Sequence, residues 1–125
     1  MNESPNEIML RSYIAAALWS SDDESDDNGG VPMDGNYDKS DIHPDTLRVM
    51  TADVDKFLAE NAVDIGDRYD QAGHDFWLTR NGHGVGFWEV PDWPSQAGYR
   101  LTAACKVFGE VSLYIEAGKV CQDNC

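Results

Sequence analysis

Residues 72–88, AGHDFWLTRNGHGVGFW, constrain the fold of this chain more than any other stretch. Asn81-Gly82 at its centre is a strong short hairpin signal, because a type I′ turn needs positive φ at both central residues. A turn placed there pairs Arg80 with His83, Thr79 with Gly84, Leu78 with Val85, Trp77 with Gly86, Phe76 with Phe87 and Asp75 with Trp88. Alternation then puts Phe76, Leu78, Val85 and Phe87 on one face, the expected core face. On the other face the Trp77 ring covers Gly86, which has no side chain to pack. His74-Asp75 fixes the entry to the first strand. The repeated glycines follow from strand geometry without a ligand, and the spacing predicts a hairpin.

The flanking segments read as helices and a short sheet. Glu7 to Ser21 carries Ile8, Met9, Tyr13, Ala16, Ala17, Leu18 and Trp19 at helical spacing, behind a Ser4-Pro5 start. Pro44 opens a second helix to about residue 62, with Leu47, Met50, Val54, Phe57, Leu58 and Ala62 as its stripe. Its other face carries Asp45, Asp53, Asp55 and Glu60, and residues 63–72 read as a polar connector. Pro91 and Pro94 break the second strand of the hairpin, and Ser95 caps a third helix over 96–108. Its stripe is Tyr99, Leu101, Ala104, Cys105 and Phe108, and Gly109 closes it. Val111, Leu113 and Ile115 alternate as a strand, Ala117-Gly118 turns, and Lys119 to Gln122 returns. The expectation is one α+β domain over residues 1–125, with helices packed on one face of a small antiparallel sheet and a short flexible C-terminus.

Charge narrows the function classes. The chain has 23 Asp plus Glu against 9 Lys plus Arg, a formal net charge of −14. Residues 20–41 hold eight of those acids and one lysine, which is half of the net charge. With almost nothing apolar to bury, residues 20–43 read as a solvated acidic loop. Such a field repels nucleic acid, anionic membrane and phosphate substrates, and attracts basic protein surfaces. No apolar run approaches the roughly 20 residues of a membrane span, and the N-terminal MNESPNE lacks the pattern of a signal peptide. Three sparse cysteines, Cys105, Cys121 and Cys125, point to free thiols in a reducing cytosol.

The chemistry-bearing residues have plain structural readings. His74 and His83 stand near opposite ends of the expected hairpin, and no CxxC, HxxxH or HExxH spacing accompanies them, so no metal or other cofactor is assigned. Asp34-x-Asn36-x-Asp38 resembles the opening of a calcium loop, but Lys39 replaces the required glycine and Asp45 the bidentate glutamate. Gly82-x-Gly84-x-Gly86 lacks the spacing and the helix start of a phosphate loop. There is no nucleophile elbow and no spacing that brings a base to a nucleophile, so no catalytic residue is assigned. Arg80 is expected to pair with Asp75, Glu89 or the acidic loop, holding that loop against the hairpin. Trp19, Trp88 and Trp93 remain: Trp is usually buried in a small domain, and one exposed among carboxylates is a protein-binding hot spot.

Taken together, ALWSS (17–21), PMDGNY (32–37), DIHPDTL (41–47), Asp53-x-x-x-Phe57, residues 72–88, LTAA (101–104) and FGEVSLY (108–114) resemble a family of small proteins encoded by tailed bacteriophages of different hosts. The family usually follows GFW with Asp-Arg, where this chain has Glu89-Val90, and an acidic glycine turn is replaced by Glu116-Ala117-Gly118. The resemblance implies an infected bacterial cytoplasm and supplies no mechanism.

Three functions are compatible with these residues. The leading one is a non-enzymatic, DNA-mimic-type inhibitor whose carboxylates occupy the basic cleft of a host nucleic-acid-binding or defence protein. Its partner-binding set is Asp22, Asp23, Glu24, Asp26, Asp27, Asp34, Asp38, Asp41 and Asp45, with Trp93 as the aromatic. In this reading His74, Asp75, Phe76, Trp77, Arg80, Asn81, Gly82, His83, Gly84, Gly86, Phe87 and Trp88 form a structural motif. The second is an acid–base or metal-assisted enzyme around His74, Asp75, Arg80 and His83, which requires those side chains to converge. The third is a structural or accessory phage protein whose hairpin edge pairs with a partner strand.

Overall fold

Ser4 and Pro5 start the first helix as their residue types dictate. In the computed structural model, which describes residues 3–23, 31–82, 87 and 93–123, the Ser4 hydroxyl accepts from the Glu7 amide at 3.1 Å and the Glu7 carboxylate accepts from the Ser4 amide at 3.2 Å. This reciprocal cap satisfies two amides that a helix start otherwise leaves open. Helix α1 (Pro5–Ser20) buries Met9, Tyr13, Ile14, Ala16, Ala17 and Leu18.

The described part of the acidic segment, residues 21–23 and 31–43, holds regular structure that its composition does not suggest. Strand β1 (Asp22–Asp23) pairs antiparallel with β2 (Val31–Pro32), and single 3-10 turns follow at Met33–Gly35 and Lys39–Asp41. Met33 is fully buried and Ile42 nearly so. These two side chains pin the segment to the core, which corrects the expectation of a purely solvated loop. The apolar Val31-Pro32-Met33 run was the signal. Glu24, Asp26 and Asp27 lie outside the described residues.

Helix α2 (Pro44–Ile65) begins where proline requires and buries Met50, Val54, Phe57 and Leu58 as its stripe predicts. It runs three residues further than expected, past a kink at Asn61 whose side chain donates to the Phe57 carbonyl at 2.9 Å, and stops at Gly66 with φ 62°. Helix α4 (Ser95–Val107) matches the third expected helix, but its buried positions are Ala97, Gly98, Leu101 and Cys105, while Tyr99 faces out. Strands β3 (Leu113–Glu116) and β4 (Lys119–Gln122) pair antiparallel around Ala117-Gly118, both with positive φ. Val111 is buried ahead of β3 and is not part of it.

The central prediction fails. Residues Asp75–Arg80, expected as a strand, belong to helix α3 (Tyr69–Arg80). That removes both the proposed register and the polar connector, since only a short link separates α2 from α3. Asn81-Gly82 still turns the chain, with φ 70° at Gly82, but it ends a helix: the Asn81 amide and side chain both reach the Trp77 carbonyl. Phe76, Leu78 and Phe87 are buried as the hairpin required, for a different reason, and Trp77 is buried with them. His83, Gly84, Val85, Gly86 and Trp88 lie outside the described residues.

Tertiary packing overrides the β-favouring FWLT run. Ala72, Gly73, Phe76, Trp77 and Arg80 line one side of α3 at helical spacing, and that side meets α1. Gly73 makes the close crossing possible: a Cβ there would lie 2.2 Å from the Met9 carbonyl oxygen. Phe57 and Phe76 stack at 4.2 Å, Phe87 and Phe108 join them, and Tyr13 meets Trp77 edge-on at 5.4 Å. The result is an α+β domain whose core, among the described residues, is built mainly from α1 to α4. Among the same residues, two two-stranded ribbons replace the expected sheet under the helices.

Candidate functional site

Two charged residues of the central motif, Asp75 and Arg80, turn inward. Asp75 is fully buried on α3. Its carboxylate accepts from the Gln71 amide at 3.0 and 2.9 Å, from the Trp93 indole at 2.8 Å and from His74 Nδ1 at 3.0 Å. A buried carboxylate is tolerable only with such donors. Trp93 therefore is no exposed anchor. It is 5% exposed, packed edge-on against Phe87 and under the Arg68 guanidinium, which corrects its place among the partner-binding residues.

Arg80, at the other end of α3, is also buried, and its partners are not those expected. Nη1 donates to Asp53 on α2 at 2.9 Å and to the Tyr13 hydroxyl on α1 at 3.0 Å. Nε and Nη2 donate to the carbonyls of Gly109 and Phe108, both at 2.8 Å. The guanidinium also lies over the rings of Phe76 and Phe108. One planar fork thereby ties three helices to the end of α4, a task its five donors suit and a lysine's point charge does not. Asp53, read from sequence as part of an exposed acidic face, is committed to this bridge. Burial pushes the Tyr13 phenol up to about 12 against the opposing pull of Arg80.

These contacts separate Arg80 from the other described residues of the enzyme reading. His74 and Asp75 are paired, Arg80 joins the α1–α2 side, and His83 lies outside the described residues. Cys105 is buried and its thiol is pushed up by desolvation, so it is not an activated nucleophile. Among the described residues, no group of three or more His, Cys, Asp and Glu side chains stands close enough to hold a metal ion. In the calcium-like stretch Asp38 instead caps the turn after it, accepting from the Ser40 hydroxyl and from the Ser40 amide at 2.9 Å, and these hydrogen bonds, the hydroxyl's first, hold its carboxyl below the usual range. No described helix is long and apolar enough to cross a membrane.

In the acidic strap from the end of α1 to the start of α2, the described carboxylates are open to solvent to differing degrees. Asp22, Asp34, Asp38 and Asp45 are exposed and Asp41 half-buried. Residues 20–45 contain nine carboxylates against the single cation Lys39. Asp45 bonds Arg48 one turn on at 2.6 Å, an exposed pair of small energetic weight. Residues 21–23 and 31–45 are held by backbone bonds such as the Met33 amide to the Ser21 carbonyl at 2.9 Å and the His43 amide to the Val120 carbonyl at 2.9 Å. The strap is thus a carboxylate array on fixed backbone, at least over those residues. Trp19, at the end of α1 beside it, is 59% exposed.

No protein-family model, curated protein or solved structure matches the chain.

Proposed function

We propose that this is a phage-encoded, non-enzymatic interaction protein. Its acidic strap stands in for nucleic-acid phosphates and occupies the basic cleft of a host nucleic-acid-binding or defence protein in the infected bacterial cytoplasm. The observation that carries the reading is the division of labour between the two polar regions. Asp75 and Arg80 of the motif are consumed in the core, whereas Asp22, Asp34, Asp38 and Asp45 face solvent on a pinned backbone. Fixed carboxylates lose less freedom on binding than those of a free loop, and their summed field speeds encounter with a cationic partner. The resemblance to bacteriophage proteins supports the cellular context.

The test is capture from bacterial lysate on the immobilised chain, followed by elution with duplex DNA. A partner of the proposed kind is released by DNA and is not retained by the D22N/D23N/E24Q/D26N/D27N variant. A partner that DNA leaves in place, and that the variant still holds, refutes mimicry.

One observation favours the acid–base reading: His74 is hydrogen-bonded to a buried carboxylate and its ring is half-exposed, an arrangement that orients a base. Loss of a hydrolytic or transfer activity in His74→Gln with an unchanged melting temperature would support that alternative.

A further inference from the structure

Trp19 is an exposed aromatic with a built support. Its ring stacks on the His74 imidazole, with centroids 6.4 Å apart and planes 29° from parallel. His74 is itself held through Nδ1 by Asp75, and Asp75 by Gln71 and Trp93. One face of the indole is therefore backed by a chain of contacts that runs into the core, and 59% of the residue stays open to solvent. The next exposed carboxylate, Asp22, follows three residues on and is fixed by pairing with Pro32.

An indole face carries a negative quadrupole and attracts cations, most strongly the planar guanidinium, which also stacks. The strap next to it draws cations towards the same place. An apolar or aromatic partner group gains nothing from that field, and an anionic one is repelled. We infer that Trp19, backed by His74, is the arginine anchor of the interface: a partner's guanidinium stacks on the open indole face while strap carboxylates neutralise it. This inference rests on the strap being the partner-binding surface, and it names the side chain that surface recognises.

The experiment titrates the full chain with octa-arginine and octa-lysine peptides at low salt, reading affinity by calorimetry. Trp19→Ala is expected to weaken octa-arginine about two- to fivefold, the value of an exposed cation–π contact of ~0.5–1 kcal/mol. Octa-lysine should lose less, so the preference for arginine shrinks, and Trp19→Phe should recover part of it. The melting temperature should not move, because the ring is mostly exposed. If Trp19→Ala leaves the arginine-to-lysine ratio unchanged, the anchor is overturned while the strap reading stands. If neutralising Asp22, Asp23, Glu24, Asp26 and Asp27 leaves both peptides' affinities unchanged, the strap reading itself falls and the anchor with it.

Discussion

Replacing Gly73 with alanine separates the helical account of residues 69–80 from a strand account. Alanine is the better helix former by ~1 kcal/mol, so on propensity alone the change stabilises α3. The packing opposes it. The new Cβ would sit 2.2 Å from the Met9 carbonyl oxygen and 3.0 Å from both the Met9 carbonyl carbon and the Tyr13 nitrogen. All three are backbone atoms of α1, so no rotamer change relieves the overlap and the helices must part. A separation of roughly 1 Å forfeits about a quarter to a half of the dispersion energy of each affected contact. Those contacts include the Tyr13 ring against Phe76 and Trp77. Overpacking of this kind typically costs about 1–3 kcal/mol, and a rigid backbone obstacle puts it at or beyond the upper end. Set against the propensity gain, the net loss should be ~2–3 kcal/mol, or roughly 10 °C in melting temperature for a chain of this size. Circular dichroism melting and urea unfolding measure both. Gly35→Ala, where a Cβ meets nothing within 4 Å, should stay close to the parent. A Gly73→Ala protein that melts at or above the wild type would refute the α1–α3 crossing described here.

Three further outcomes follow from the buried polar network and the surface ion pairs. Arg80→Met should cost on the order of 3–5 kcal/mol in urea unfolding, because it strands Tyr13 and the Phe108 and Gly109 carbonyls, and Arg80→Lys should recover less than half. The Tyr13 phenol is raised in the folded state to about 12, so its contribution is complete below pH 10 and is lost as pH climbs from 10 towards 12. Two units correspond to about 3 kcal/mol, and Tyr13→Phe should flatten that alkaline decline. Asp64 is held below its ordinary range by the Arg100 guanidinium, so its contribution is present above the unfolded carboxylate value and fades as pH falls through the lowered one. In Arg100→Met the Asp64 titration followed by carbon NMR should move up; an unmoved titration contradicts the pairing.

Much of the scaffold was legible because short-range chemistry decides it. Ser4-Pro5 and Pro44 mark helix starts by rules that hold without tertiary context, and Ala117-Gly118 turns β3 into β4 as expected. Residues 72–82 were not legible by the same means. An apolar scan sees Phe76, Trp77 and Leu78 in a row and reads a strand. The helical period emerges only if Gly73 and Arg80 count as buried positions, and both are unusual core residues. Gly73 is there because α1 comes too close for a side chain, and Arg80 because three helices converge on one guanidinium. Asn81-Gly82 was rightly read as a turn, but the signal for a hairpin also ends a helix. At the candidate site, the acids were visible in the composition, whereas the anchoring by Met33 and Ile42 rests on a few apolar side chains in a segment dominated by acids. Trp93 shows the reverse: its indole donor and Asp75 are 18 residues apart, and no local pattern links them.

The central functional proposal is that the strap's carboxylates drive association with a basic partner. The most direct test measures the association rate constant of the DNA-eluted partner over a range of ionic strength. Three proteins are compared: the wild type, the strap variant D22N/D23N/E24Q/D26N/D27N, and D67N/D70N/E110Q, which removes charge outside the strap. The account predicts a slower on-rate and a shallower salt dependence for the strap variant, with the other variant close to the wild type. Equal rates and equal slopes for wild type and strap variant would contradict it.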